Sequence, residues 1–124
     1  MKAYNTWQVG GEAEYLSEPK DLAELKSALL WAKDLRLPVN LLGDGSNILI
    51  SDSGIKGLVV CLKNMVGLSS QKEEGDLKLS CWAGSSKAEA LKEFLKYKLS
   101  PALFLTGLPG NIAGGVVMLS LIHI

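Results

Sequence analysis

The residues best suited to chemistry in this chain are small ones. Gly43-Asp44-Gly45-Ser46-Asn47 stands between two apolar runs, Val39 to Leu42 and Ile48 to Ile50. Its short side chains leave the backbone uncovered, and successive N–H groups in such a turn can form a concave anion site. Glycine has no Cβ, so a phosphate-bearing ligand can approach closely. The same residues also read as a plain hairpin turn, because Asp-Gly between apolar runs is a hairpin signature. A second small-residue stretch runs from Gly107 to Gly115, Gly-Leu-Pro-Gly-Asn-Ile-Ala-Gly-Gly. Interior glycine costs roughly 1 kcal/mol against alanine. The stretch is therefore either a tight turn packed on a sheet or a segment lying flat against a planar or phosphate-bearing ligand.

Other chemistries fall away. The dinucleotide fingerprint G-x-G-x-x-G fails, because Ile48 stands where the third glycine belongs. There is no Walker A sequence. The single histidine, His123, leaves no partner for a nucleophilic triad or a zinc site. Cys61 and Cys81 are too few and too far apart for a metal. They read as reduced, buried thiols of a cytoplasmic protein. The N-terminus is polar from Lys2 to Gln8 and does not read as a secretion signal. No carboxylate or lysine is singled out by its setting, and Lys87, Lys92, Lys96 and Lys98 read as a solvated helix face.

The elements that must position the glycine stretches follow from periodicity. Ala13 to Glu18 reads as a strand. Asp21 and Glu24 have capping-box spacing and open a helix. Its apolar face is Leu22, Leu25, Leu29, Ala32 and Leu35, and Pro38 stops it. Val39 to Leu42 and Leu58 to Leu62 read as strands, and Asp52-Ser53-Gly54 as a turn between them. Gln71 to Asp76 reads as a polar loop, and Leu77 to Trp82 alternates like a strand. Ser86 and Glu89 repeat the capping-box spacing before a second helix, with Ala88, Leu91, Phe94 and Leu95 inward, ending near Tyr97. This order predicts an α/β-like unit: a small sheet with flanking helices, its first half a right-handed βαβ crossover.

Composition agrees with a small globular domain. The 124 residues are 48% hydrophobic and 21% charged, which excludes a disordered chain. Thirteen basic residues balance thirteen acidic ones without a charge run, so no nucleic-acid or anionic-membrane surface is predicted. From Leu99 onward the chain carries no charge apart from His123. That length could span a bilayer, and Gly110 and Gly114 fit small-xxx-small spacing. Pro101, Pro109 and the glycines argue against a span, since a turn there would leave backbone groups unpaired in lipid.

Taken together, the motifs resemble a family. Asn5-Thr6-Trp7-Gln8-Val9-Gly10-Gly11-Glu12-Ala13 is similar to the opening N-T-F-x-I-G-G-x-A of the bacterial UDP-N-acetylenolpyruvoylglucosamine reductases. Leu42 to Leu49 resembles their L-G-G-G-S-N-x-L loop, and Asp52 to Gly57 their D-x-G-x-x-G. Gly107 to Gly115 resembles their G-I-P-G-x-x-G-G, displaced by one residue at the second glycine pair. The resemblance covers residues 1 to 118 and implies an α+β fold, the FAD-binding fold of the vanillyl-alcohol oxidase (PCMH) type. It implies non-covalent FAD, NADPH as reductant, and a UDP-linked amino sugar reduced to UDP-N-acetylmuramate for peptidoglycan. The cofactor-binding set it implies is Gly43, Asp44, Gly45, Ser46, Asn47 and Ile48 at the pyrophosphate, and Gly107, Pro109, Gly110, Asn111, Gly114 and Gly115 near the flavin. Asp44 replaces the commonest glycine, and a carboxylate beside a pyrophosphate is repulsive unless it points to solvent. The family's catalytic serine, arginine and glutamate fall on no residue here. After Met118 the match breaks, and residues 119 to 124 read as a foreign tail on a piece of a reductase. Two alternatives stay open: another flavin oxidase of the same fold, against which the absence of a histidine near the loop counts, and a binding module without redox chemistry.

Overall fold

The computed structural model describes residues 1–46, 48–74, 76–96 and 111–113. The chain divides into two compact units, Met1–Met65 and Val66–Ile124.

The first unit is built on a three-stranded parallel sheet. Strand β1 is Ala13–Ser17, helix α1 Leu22–Asp34, strand β2 Val39–Leu42 and strand β3 Ile55–Cys61. The strand order is β1-β3-β2, and β3 pairs in parallel with both neighbours. The crossover from β1 through α1 to β2 therefore skips a position, and β3 fills it. This corrects the hairpin reading of the glycine turn: β2 does not fold back on Ile48–Ile50, which form no strand. Strand β3 also starts three residues earlier than its apolar run.

A central parallel strand is covered on both faces, which is why β3 carries the unbroken run Leu58-Val59-Val60-Cys61. Leu58 and Val60 pack with Ala32 of α1, joined by Leu25, Ala28, Leu37 and Leu62. Val59 and Cys61 pack on the other face with Leu42, and Met1, Tyr4, Ala13, Ile48 and Ile55 close over them. Fully burying one such aliphatic side chain is worth about 1.5–3 kcal/mol. The register slips between Ala13 and Tyr15, where β3 carries an extra residue at Gly57. Gly57 sits at φ +82° beside the Pro38 carbonyl, and its N–H donates to Glu14 Oε2 at 2.7 Å. This has the character of a β-bulge with glycine at the left-handed position.

Helix α1 begins as its sequence predicts. Asp21 Oδ1 accepts from the Glu24 N–H at 2.8 Å, a cap worth about 1 kcal/mol. Glu24 reaches one residue further back than a standard box and accepts from the Lys20 N–H at 2.7 Å. The buried face differs from the sequence reading. Leu25, Ala28 and Ala32 meet the sheet, while Leu22, Leu29 and Leu35 are exposed. The helix also ends before Pro38. Arg36 takes φ +55°, its N–H donates to the Lys33 carbonyl, and the Leu37 N–H donates to the Ala32 carbonyl. These are the two bonds of a Schellman motif, and Leu37 supplies its apolar contact against Ala32.

The second unit holds an antiparallel pair, β4 (Leu68–Glu73) and β5 (Asp76–Cys81), followed by α2 (Lys87–Lys96). The loop expected at Gln71–Asp76 is instead the tip of this hairpin, with Glu73 paired to Asp76. Ser70 Oγ donates to Glu93 Oε1 at 2.7 Å and ties β4 to α2. Ser86 caps the helix by accepting from the Glu89 N–H at 3.1 Å. Ala90 is the buried apolar residue of α2 among those described, whereas Ala88 and Leu95 are exposed. Lys92 and Lys96 are solvated as predicted, but Lys87 is buried. Among the described residues no helix is long and apolar enough to cross a membrane.

Candidate functional site

The glycine turn lies directly after β2, at the carboxyl end of a parallel strand. In open α/β sheets, ligands bind in the crevice beyond these ends. The last rung between β2 and β3 is the Leu62 N–H donating to the Leu42 carbonyl at 2.8 Å. Beyond it the turn leaves the sheet. Among the described residues, the N–H groups of Asp44, Gly45 and Ser46 donate to no backbone or side-chain acceptor, while Asp44 is exposed. Free amides in a turn of small residues form an anion-receptive backbone.

Gly45 is a glycine for a different reason than ligand access. It has φ +72°, and a Cβ on it would strike the Tyr4 carbonyl oxygen and lie 2.8 Å from Asn5 Cα. The space beside Gly45 is thus occupied by the chain's own N-terminal segment. The Thr6 N–H completes the contact by donating to the Gly45 carbonyl at 3.1 Å. From below, Cys61 Sγ donates to the Gly43 carbonyl at 3.7 Å. Burial pushes the Cys61 thiol above its ordinary range, so it stays protonated and serves as that donor. Ile48 follows the turn and packs its side chain on Leu42, Val59 and Cys61. What Ile48 can offer a ligand is therefore its backbone. Asn47 lies outside the described residues.

The Lys63 and Glu18 charges near this region are engaged with each other. Lys63 Nζ lies 3.1 Å from Glu18 Oε1 and 4.5 Å from the centre of the Tyr4 ring. The hydrogen bond to Glu18 holds the Lys63 ammonium charged above its ordinary range. Burial, and then the Glu18 charge, raise the Tyr4 phenol. Sequence reasoning missed this trio because its members are scattered over the chain.

Of the second glycine stretch, the structure describes Asn111, Ile112 and Ala113; Gly107, Pro109, Gly110, Gly114 and Gly115 lie outside the described residues. Asn111 bridges antiparallel to Ser86, and the Ile112 N–H donates to the Ser85 carbonyl at 2.8 Å. Ser85 is fully buried; its Oγ donates to the Gly67 carbonyl at 2.8 Å and accepts from the Gly67 N–H at 3.1 Å. Residues 111–113 are thereby fastened to the segment leading into α2. Asn111 is 4% exposed, and its Oδ1 has no hydrogen-bond partner among the described residues. A buried carbonyl left unpaired costs about 1–3 kcal/mol, so this oxygen calls for an N–H or O–H donor.

Residues 13–121 match the family described as FAD binding domain. The chain belongs to that family. Its fold is accordingly the α+β FAD-binding fold, and FAD is the cofactor the family binds. Relatives carry a more specific name. The chain is 41% identical over 118 residues to UDP-N-acetylenolpyruvoylglucosamine reductase of Lactobacillus delbrueckii subsp. bulgaricus, covering 95% of this chain and 38% of the relative. It is 35% identical over 118 residues to the Prochlorococcus marinus reductase of the same name, covering 95% of this chain and 40% of the relative. The Synechococcus sp. (strain WH7803) reductase is also 35% identical, with 95% and 37% covered. The chain spans about two fifths of the length of these curated relatives. Among the described residues of the first unit, the Asp44, Gly45 and Ser46 amides have no protein acceptor, and such amides suit the pyrophosphate of FAD.

Proposed function

We propose that this chain is the FAD-binding portion of an NADPH-dependent reductase that converts UDP-N-acetylenolpyruvoylglucosamine to UDP-N-acetylmuramate for peptidoglycan. The observation that carries the reading is the turn at the carboxyl end of β2, whose amides at Asp44, Gly45 and Ser46 donate to no acceptor among the described residues. Together with Gly43, Asn47 and the Ile48 backbone, they would hold the FAD pyrophosphate non-covalently. Gly107, Pro109, Gly110, Gly114 and Gly115 would pass beside the flavin, and Asn111 would accept a hydrogen bond from it. When bound, FAD supplies the hydride relay between NADPH and the enolpyruvyl double bond. The chain's own part is to bind, orient and exclude water. The relatives' names support the substrate, and the family supports the cofactor. The proton donor that such a reduction needs is assigned to no residue of this chain.

The test is to purify the protein expressed from its whole reading frame and record its absorbance. A yellow protein that releases FAD on denaturation, and oxidises NADPH only when the enolpyruvyl sugar nucleotide is added, is the expected result. A colourless protein that takes up no added FAD overturns the reading. Flavin-dependent oxidation without response to the sugar nucleotide would favour a different flavin oxidase of the same fold.

A further inference from the structure

The N-terminal segment touches the glycine turn at its most constrained residue, and the way it is built gives that contact a purpose. Asn5 is 6% exposed and fully satisfied. Its Nδ2 donates to the Met1 and Val9 carbonyls, both at 2.9 Å, and its Oδ1 accepts from the Val9 N–H at 3.3 Å. One side chain thus ties together both ends of a nine-residue hook, Met1 to Val9. The hook contains a four-residue turn closed by the Gln8 N–H donating to the Asn5 carbonyl at 3.2 Å. Its outward edge is Tyr4-Asn5-Thr6. That edge meets Gly45 as described: the Tyr4 carbonyl fills the place of a Cβ, and the Thr6 N–H holds the Gly45 carbonyl.

Gly45 alone could adopt many conformations, because glycine is free on both sides of φ = 0. A turn whose amides must converge on an anion gains affinity when that freedom is removed before binding. With its carbonyl held by Thr6, the Gly45 peptide cannot rotate to put an oxygen where an amide is needed.

We infer that Asn5 and Thr6 are positioning residues for the cofactor: they clamp the Gly45 peptide so that the Asp44–Ser46 amides face the FAD pyrophosphate. This rests on the pyrophosphate assignment of the proposed function. Their role is exerted through the Gly45 peptide and needs no contact with the ligand. Asn5 keeps the hook in shape, and Thr6 delivers the single bond to the turn.

Thr6→Pro breaks that bond. Thr6 is the second residue of its turn, where proline is favoured. Asn5 has φ −145° and ψ 154°, the extended conformation that a residue before proline prefers. The variant keeps the hook's own turn, removes the donor, and sets its ring Cδ where the N–H pointed, so the Gly45 carbonyl is also pushed off the hook. Asn5→Ala loosens the hook as a whole. Trp7→Ala is the control, since Trp7 lies in the same turn and is 69% exposed. The measurements are FAD dissociation constants, backbone ¹⁵N order parameters of residues 43–46 without FAD, and unfolding midpoints.

Thr6→Pro is expected to weaken FAD binding roughly three- to ten-fold, the worth of about one net hydrogen bond, and to lower the order parameters at 44–46. Its midpoint should stay close to that of the unaltered protein. Trp7→Ala should change none of these. If Asn5→Ala fails to fold, Thr6→Pro decides alone. Unchanged affinity and order parameters in Thr6→Pro overturn the inference. So does an affinity loss that merely follows a fallen midpoint while the turn stays rigid. If the unaltered protein takes up no FAD, it is the pyrophosphate assignment that fails, and undiminished order parameters in Thr6→Pro would still overturn the clamp.

Discussion

Asp44 sits in the turn among the uncommitted amides, and it is exposed. A carboxylate there opposes an incoming pyrophosphate through solvent. Asp44→Asn keeps the shape and removes the charge, so FAD affinity is expected to rise roughly two- to five-fold at low ionic strength, as for an exposed charge pair. The gain should fade as salt is raised. A salt titration of FAD affinity for both proteins checks this, and equal affinities at low salt would place the phosphates elsewhere. Cys61 gives a second prediction at this scale. Burial raises its thiol above the ordinary 9.0. Below that value both folded and unfolded chains hold the proton. Above it the unfolded chain loses a proton the folded chain keeps, so stability is expected to fall as pH rises from about 9 toward the folded value. Cys61→Ala should flatten this alkaline decline in urea unfolding, although it lowers stability at neutral pH. Native alkylation should reach the partly exposed Cys81 well before Cys61.

At the scale of elements, α1 shows how far local rules reach. Its start was legible in Asp21 and Glu24, because a cap is a contact between near neighbours. Its end was not: Arg36 terminates the helix at φ +55°, a conformation costing a non-glycine residue about 1–2 kcal/mol. Arg36→Gly relieves that strain and adds unfolded-state entropy of about 0.5–1 kcal/mol against itself. A net stabilisation of roughly 0.5–1 kcal/mol is expected, read as a higher urea midpoint. A lower midpoint would show that the Arg36 side chain contributes more than its backbone costs. Strand β5 was legible in the alternation of Leu77 to Trp82, but its hairpin partner β4 was not, for another reason. Ser69, Ser70, Gln71 and Lys72 carry no apolar alternation, so β4 is a strand only by virtue of the partner it pairs with. The inward face of α1 was likewise misplaced, since five leucine and alanine positions at helical spacing do not reveal which of them meet a sheet. Leu25, Ala28 and Ala32 do because β3 presents Leu58 and Val60 to them.

Across the whole molecule, the sequence by itself determined that the chain is an α+β domain with small-residue turns suited to a phosphate-bearing cofactor. It also carried the family, since motifs in a fixed order are linear information, and the match over residues 13–121 agrees. Helix caps, the strand at β2 and the central apolar run were readable for the same reason: each is decided by residues close in the chain. Tertiary structure alone decided that β3 inserts between β1 and β2, which makes the glycine turn the end of a parallel strand and not a hairpin. It alone showed that Gly45 makes room for the Tyr4 carbonyl, and that Asn111, read from sequence only as part of a glycine stretch, holds a buried acceptor with no partner among the described residues. Those facts depend on which distant segments become neighbours. In the first unit that choice follows from burying β3 on both faces, a sum over the whole unit that no local window of sequence contains.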